Sequence, residues 1–229
     1  MKVAVLIPTY NERDNIERLV SEVAKAGVDS IYVIDDGSPD GTAELVKRMD
    51  VKGLHLIERG RKLGIGSAYL DGIKVALKDG ADVIVQMDAD FSHPPELIPK
   101  LVDSLKDADV AVASRYVKGG SASGLPIHRR LVSLVANALA RALLGIRTKD
   151  ATGGFRAFRR EVAEWLLEEG LSSKGYEYQI ESIYKAEKKG FKVVEVPYEF
   201  GRRAAGRSKL KLGDMLNFLV FVIKLSFSK

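Results

Sequence analysis

The first half of the chain switches repeatedly between two hydrophobic periods, and that alternation restricts the fold more than anything else in the sequence. Apolar, β-branched runs at residues 2–7, 30–34, 54–58, 82–87 and 109–114 read as strands. Between them lie segments of helical spacing. One is capped by Asp14 and carries Ile16, Leu19, Val20 and Val23; others begin at Asp40 or Thr42 and cover 67–78 and 95–105. Strands separated by helices imply βαβ units with right-handed crossovers. The expected class is α/β, with a mostly parallel central sheet flanked by helices. In such sheets ligands bind beyond the carboxyl ends of the strands, so the loops after each strand are where chemistry belongs.

At 229 residues and 46% hydrophobic content, the chain suits one large domain, or one domain with an appendage. It contains no cysteine, which excludes a disulfide framework, a thiol nucleophile and a cysteine zinc site. The apolar N-terminus is too brief for a signal peptide. Pro8-Thr9-Tyr10-Asn11-Glu12 follows it instead of a small-residue cleavage site, so it reads as the first strand of a cytosolic domain.

Three loops stand out. Pro8-Thr9-Tyr10-Asn11-Glu12 follows the first strand, Asp35-Asp36-Gly37-Ser38 the second, and Asp88-Ala89-Asp90 the strand at 82–87. Side chains two apart on an extended chain point the same way, so Asp88 and Asp90 can converge on one point. Two hard oxygen ligands there suit Mg²⁺ or Mn²⁺ holding a substrate's phosphates; a polar turn would also use such residues. A base or ribose can stack on Tyr10 and bond to Glu12, and one carboxylate of Asp35-Asp36 can accept from a base or ribose. Taken singly, each is also an ordinary polar loop. There is no G-x-G-x-x-G after the first strand and no G-x-x-x-x-G-K-[ST]. Phosphates must therefore rely on a metal and on cations.

Net charge is +5, unevenly spread. Arg202, Arg203, Arg207, Lys209 and Lys211 cluster without an acid, and Arg115, Lys118, Arg129 and Arg130 form a looser group. Both fit an anionic partner, or a solvated surface run. Residues 118–125 are rich in Gly and Ser and are expected to be mobile. Residues 127–144 read as one helix; a Gly-centred turn at 150–154 enters a strand; 161–168 and 176–188 read as helices and 191–196 as a strand. Residues 213–229 contain an apolar stretch shorter than a bilayer span and interrupted by Lys224. As a helix it packs on the domain, or faces a membrane or partner.

Six segments, in order, resemble family 2 glycosyltransferases of the GT-A fold, a Rossmann-like architecture. They are Ile7 to Glu12, Val33 to Thr42, Met87 to Glu96, Ser114-Arg115-Tyr116, Thr152 to Arg156, and Gly206 to Leu210. The last three narrow the resemblance to the dolichol-phosphate mannose synthases of that family. It implies one domain over 1–212, with a nucleotide-binding half at 1–114, an acceptor-binding half at 115–212 and an apolar C-terminal helix. It further implies that Pro8, Tyr10, Glu12, Ile34 and Asp36 hold the guanine nucleotide. Asp88 and Asp90 would bind the metal on the diphosphate, with Ala89 contacting donor through its backbone. Ser92 stands where some relatives use Gln as a third metal ligand; Ser is shorter, which favours a two-carboxylate shell. Arg115 would lie between donor and acceptor phosphates, with Arg129 and Ser133 on the acceptor phosphate. Arg203 and Lys209 would clamp the donor from a mobile loop.

The implied reaction is inverting transfer of mannose from GDP-mannose to dolichyl (polyprenyl) phosphate, with Asp90 and Arg115 central to catalysis. A phosphate nucleophile is already anionic and needs no general base, and no His, Cys or Ser arrangement in the sequence suggests one. His93 reads as a loop residue beside the metal; Glu177 and Glu181 are base candidates only for an alcohol acceptor. The implied setting is the cytoplasmic face of a membrane, peripherally bound, with a possible membrane-embedded partner and no nucleic acid. The competing readings are a sister enzyme using UDP-glucose or another donor, and a nucleotide-sugar or nucleic-acid binding module.

Overall fold

A computed structural model describes residues 1–173, 175–201 and 212–227. Strand β1 (Val3–Thr9) is buried at every position but Pro8. Its side chains alternate between the two faces of the sheet: Val5 and Ile7 join one core cluster, Ala4 and Leu6 another. Helix α1 (Arg13–Lys25) buries Ile16, Leu19, Val20 and Val23 on the first of these faces. After β2 (Ser30–Asp35), α2 (Thr42–Lys47) and β3 (Leu54–Glu58), helix α3 (Ile65–Lys78) covers the opposite face with Tyr69 and Ile73. Burying a side chain of this size contributes about 1.5–3 kcal/mol. Two covered faces explain why the strands are continuous apolar runs rather than alternating ones.

The expected helix at 95–105 divides into a 3₁₀ turn (Pro95–Leu97) and α4 (Ile98–Ser104), between β4 (Val83–Gln86) and β5 (Val110–Ser114). Pro94 and Pro95 lack amide donors, which accounts for the tight turn at the start. Helix α5 (Ile127–Leu144) leads to β6 (Arg156–Arg159), α6 (Arg160–Glu169), α7 (Tyr178–Lys189), β7 (Val193–Pro197) and α8 (Leu212–Phe227). The seven strands form one sheet in the order β3-β2-β1-β4-β6-β5-β7. All neighbours are parallel except β6, which runs antiparallel between β4 and β5. This reversal brings the turn before β6 to the edge where β1, β2 and β4 end.

The Gly- and Ser-rich segment at 118–125 is docked, contrary to its expected mobility. Ser121 donates its amide to Tyr198 O at 2.9 Å and accepts from the Phe200 amide at 2.8 Å, which extends the sheet edge beyond β7. Glycine is required for that approach: a Cβ at Gly124 would lie 2.3 Å from the Phe200 carbonyl oxygen.

Helix α5 buries Ala136, Asn137, Ala140 and Leu144 and turns Ile127, Leu131 and Val135 outward, at 77%, 58% and 56% exposure. Helix α8 packs beside it, with Val222 buried and Val220, Ile223 and Phe227 exposed. Among the described residues no helix is long and apolar enough to cross a membrane.

Candidate active site

The loops after β1, β2 and β4 lie side by side because their strands are adjacent in the order β2-β1-β4. The first two are cross-linked. Thr9 Oγ1 donates to Asp35 at 2.8 Å, the Asn11 amide to Ser38 Oγ at 2.9 Å and the Glu12 amide to Thr42 Oγ1 at 3.0 Å. Asp35 is thus spent on the turn, where it also accepts from the Ser38 amide and hydroxyl. Asp36 faces the other way. It pairs with Arg59 at 2.9 Å and accepts from the amides of Leu63 and Gly64 at 3.1 and 3.2 Å. Arg59 therefore folds the basic glycine loop across the end of β2, and Lys62 Nζ sits 4.7 Å above the Tyr10 ring. Pro8, Tyr10 and Glu12 reach this edge half-buried, whereas Ile34 is wholly buried in the core beneath it.

Beyond β4, Asp88 is partly exposed, and Ala89 and Asp90 are buried. Asp90 Oδ1 accepts from the Ser92 amide at 3.0 Å and hydroxyl at 2.5 Å. Ser92 thus orients Asp90 with the group that a third metal ligand would need. The intervening Phe91 has φ +62°, a conformation uncommon outside glycine and held here by the loop. Among the described residues no group of three or more His, Cys, Asp or Glu could hold a metal ion. Two carboxylate residues are nevertheless a donor set that fits Mg²⁺ or Mn²⁺, which complete their shell with water and substrate phosphates.

Across the edge stands Arg115, just past β5. Its Nε and Nη2 donate to the two oxygens of Asp150 at 2.8 and 2.7 Å. Burial alone would lower its pKa, but the Asp150 charge and bonds outweigh burial and raise it, so Arg115 stays cationic. Nη2 also reaches Thr152 Oγ1 at 3.1 Å, and Thr152 Oγ1 meets Asn137 Nδ2 at 2.9 Å and Ser133 Oγ at 3.3 Å. The expected acceptor residues Arg115 and Ser133 therefore share one network, with half-buried Arg129 one turn earlier on α5. Thr152 opens one of the six segments, whereas Asp150 and Asn137 lie outside them, although Asp150 begins the Gly-centred turn. That turn is anchored from below by fully buried Arg156, which donates to Ala151 O at 2.7 Å and Gln179 O at 2.5 Å. Burial lowers its pKa to about 10.

Glu181 is buried and accepts from the amides and hydroxyls of Ser172 and Ser173. Its carboxylate is a structural clasp. Arg203 and Lys209 lie outside the described residues. Gly201 is described, and an added Cβ there would sit 3.2 Å from Phe91 O, so the chain enters that segment beside the carboxylate loop.

The chain is 44% identical to the polyprenol monophosphomannose synthase of Mycolicibacterium smegmatis, over 91% of its own length and 81% of the relative's. It is also 44% identical to the dolichol-phosphate mannosyltransferase of Pyrococcus furiosus, over 98% of its length but 64% of that longer relative. It is 35% identical to the undecaprenyl-phosphate mannosyltransferase of Micrococcus luteus, over 93% of its length and 89% of the relative's. Glucosyl-3-phosphoglycerate synthase from Mycobacterium tuberculosis, crystallised with Mn²⁺, UDP and phosphoglyceric acid, shares the fold. The TM-score is 0.73 at 23% identity, covering 98% of this chain and 78% of that one. The fold is GT-A. With the Glycosyl transferase family 2 model matching residues 4–167, the chain belongs to family 2 and is a glycosyltransferase.

Proposed function

We propose that the protein transfers mannose from GDP-mannose to a polyprenyl phosphate with inversion, releasing GDP. One observation carries this reading. Arg115, Thr152 and Ser133 form one network, and Ser133 stands on a helix whose outer face is apolar at Ile127, Leu131 and Val135. A phosphate at that network and an isoprenoid tail along α5 match a lipid phosphate, and the names of the three relatives agree.

In this reading Pro8, Tyr10, Glu12, Ile34 and Asp36 form the nucleotide end of the site, with Ile34 supporting it from the core. Asp88 and Asp90 would hold a divalent cation, which would supply charge neutralisation for the diphosphate. A phosphate oxygen of the acceptor attacks the anomeric carbon. The bond from that carbon to the GDP oxygen breaks, and its electron pair leaves with GDP. The acceptor is already anionic, so no proton need be removed first. Arg115, with Arg129 and Ser133, screens the repulsion between the two anions through a charge that its fork to Asp150 holds in place. Arg203 and Lys209 supply further cations to the leaving group. The exposed faces of α5 and α8 rest on a membrane surface or a membrane-embedded partner, on the cytoplasmic side.

Labelled GDP-mannose and UDP-glucose, each offered with polyprenyl phosphate in detergent, test the reading. Mannose entering the organic phase from GDP-mannose alone is expected. Transfer from UDP-glucose instead would assign the sister activity, and transfer from neither would defeat the proposal.

A further inference from the structure

His93 is the buried polar group beside the carboxylates that the reaction leaves without a task. Its Nδ1 accepts the backbone N–H of Asp88 at 2.9 Å, which places the ring proton on Nε2. Nε2 lies 3.9 Å from Asp88 Oδ2. The ring stacks on Phe155 with centroids 5.0 Å apart, and the edges of Tyr198 and Phe200 enclose it. Gly154 leaves room for this packing. A Cβ there would stand 3.4 Å from His93 Cε1 and 3.6 Å from Asp88 Oδ1.

Loops of this kind are normally set by side-chain oxygens of Asp, Asn or Ser, as Asp90 Oδ1 accepts the Ser92 amide. At Asp88 the acceptor comes instead from a ring wedged between the carboxylate loop and the turn before β6. We infer that His93 is a positioning residue: it fixes the Asp88 main chain, and through it the carboxylate pair, for a metal-bound nucleotide diphosphate. The inference rests on the role given above to Asp88 and Asp90. It ties the donor loop to Phe155, and so to the turn that carries Thr152 and Asp150.

Two variants separate positioning from packing. His93→Asn keeps an acceptor oxygen near the Nδ1 position and loses the stacked ring. His93→Phe keeps the ring and loses the acceptor. Calorimetry of GDP binding with and without Mn²⁺, on the full chain, reads the difference. His93→Phe is expected to weaken Mn²⁺-dependent GDP binding on the order of 10–100-fold, as loss of an outer-sphere partner does, with metal-free binding little changed. His93→Asn is expected to retain most of the Mn²⁺-dependent affinity despite a lower melting temperature. Nitrogen NMR of the wild-type imidazole is expected to show the proton on Nε2. His93→Phe binding like wild type, His93→Asn as impaired as a His93→Phe variant that folds, or a proton on Nδ1 would overturn the inference. Should His93→Phe not fold, the His93→Asn affinity and the imidazole spectrum decide. Failure of wild-type sugar transfer would overturn the proposed acceptor while leaving this binding result to stand or fall by itself.

Discussion

Asp150 holds Arg115 at both ends: one carboxylate accepts the guanidinium through Nε and Nη2 and accepts the Arg115 backbone amide at 2.9 Å. Asp150 is itself fully buried and donates its backbone N–H to Glu195 Oε1 at 3.0 Å. The pair therefore fixes where a cation stands at the end of β5. Asp150→Asn leaves that cation without its counter-charge and is expected to cost about 3–5 kcal/mol, measured by denaturant unfolding. Arg115→Lys keeps a charge but loses the fork, and is expected to reduce sugar transfer far more than it reduces GDP binding.

Gly37 is the point at which two nucleotide-side loops touch. Its φ is +72°, and a Cβ would lie 2.8 Å from the backbone oxygen of Gly60. Gly37→Ala must both adopt the left-handed conformation and push the basic loop away. The conformational part alone is about 1–2 kcal/mol. Calorimetry of GDP binding should show a weaker complex, because the bonds from Leu63 and Gly64 to Asp36 depend on that contact.

Glu181 gives a pH signature. Burial alone would raise its pKa, but the bonds from Ser173 and Ser172 outweigh burial and hold it below the ordinary glutamate value. A carboxylate with a depressed folded pKa stabilises above its unfolded value, about 4.3, and loses that contribution as pH falls through the folded value. The stability gap between wild type and Glu181→Gln should be widest near neutrality and shrink below about pH 4. Urea unfolding at the two pH values checks it.

The outward face of α5 is expected to act on the lipid and not on the nucleotide. Leu131→Ser and Val135→Ser sit at exposed positions and should leave folding nearly unchanged. Raised KM for polyprenyl phosphate with unaltered GDP affinity is the expected result. Unchanged KM with a long-chain acceptor would place the tail elsewhere.

Most of the parallel half was legible because its strands are uninterrupted apolar runs and its helices have clean periods. A parallel sheet puts the loops of Tyr10, Asp36 and Asp88 on one edge, but that β1 lies between β2 and β4 is decided by tertiary packing. The direction of β6 was not legible: a run of four residues carries no sign of whether its neighbours are parallel. That reversal decides which turn faces Asp88. Partners such as Arg59 for Asp36 and Asp150 for Arg115 escaped for a related reason. They are 23 and 35 residues away, and local spacing does not reveal pairs made by tertiary packing. His93 does lie in the loop after β4; its stacking on Phe155 was not legible because that partner belongs to the other half of the chain.

The central claim is that Asp88 and Asp90 hold a metal on the donor diphosphate while a lipid phosphate attacks. Its most direct test is mannose transfer from GDP-mannose to polyprenyl phosphate by wild type and Asp90→Asn, with Mn²⁺ and with chelator. Transfer by wild type that is lost in chelator, restored by Mn²⁺ and abolished in a folded Asp90→Asn variant is the predicted result. Transfer undiminished by chelator, or by Asp90→Asn, would contradict it.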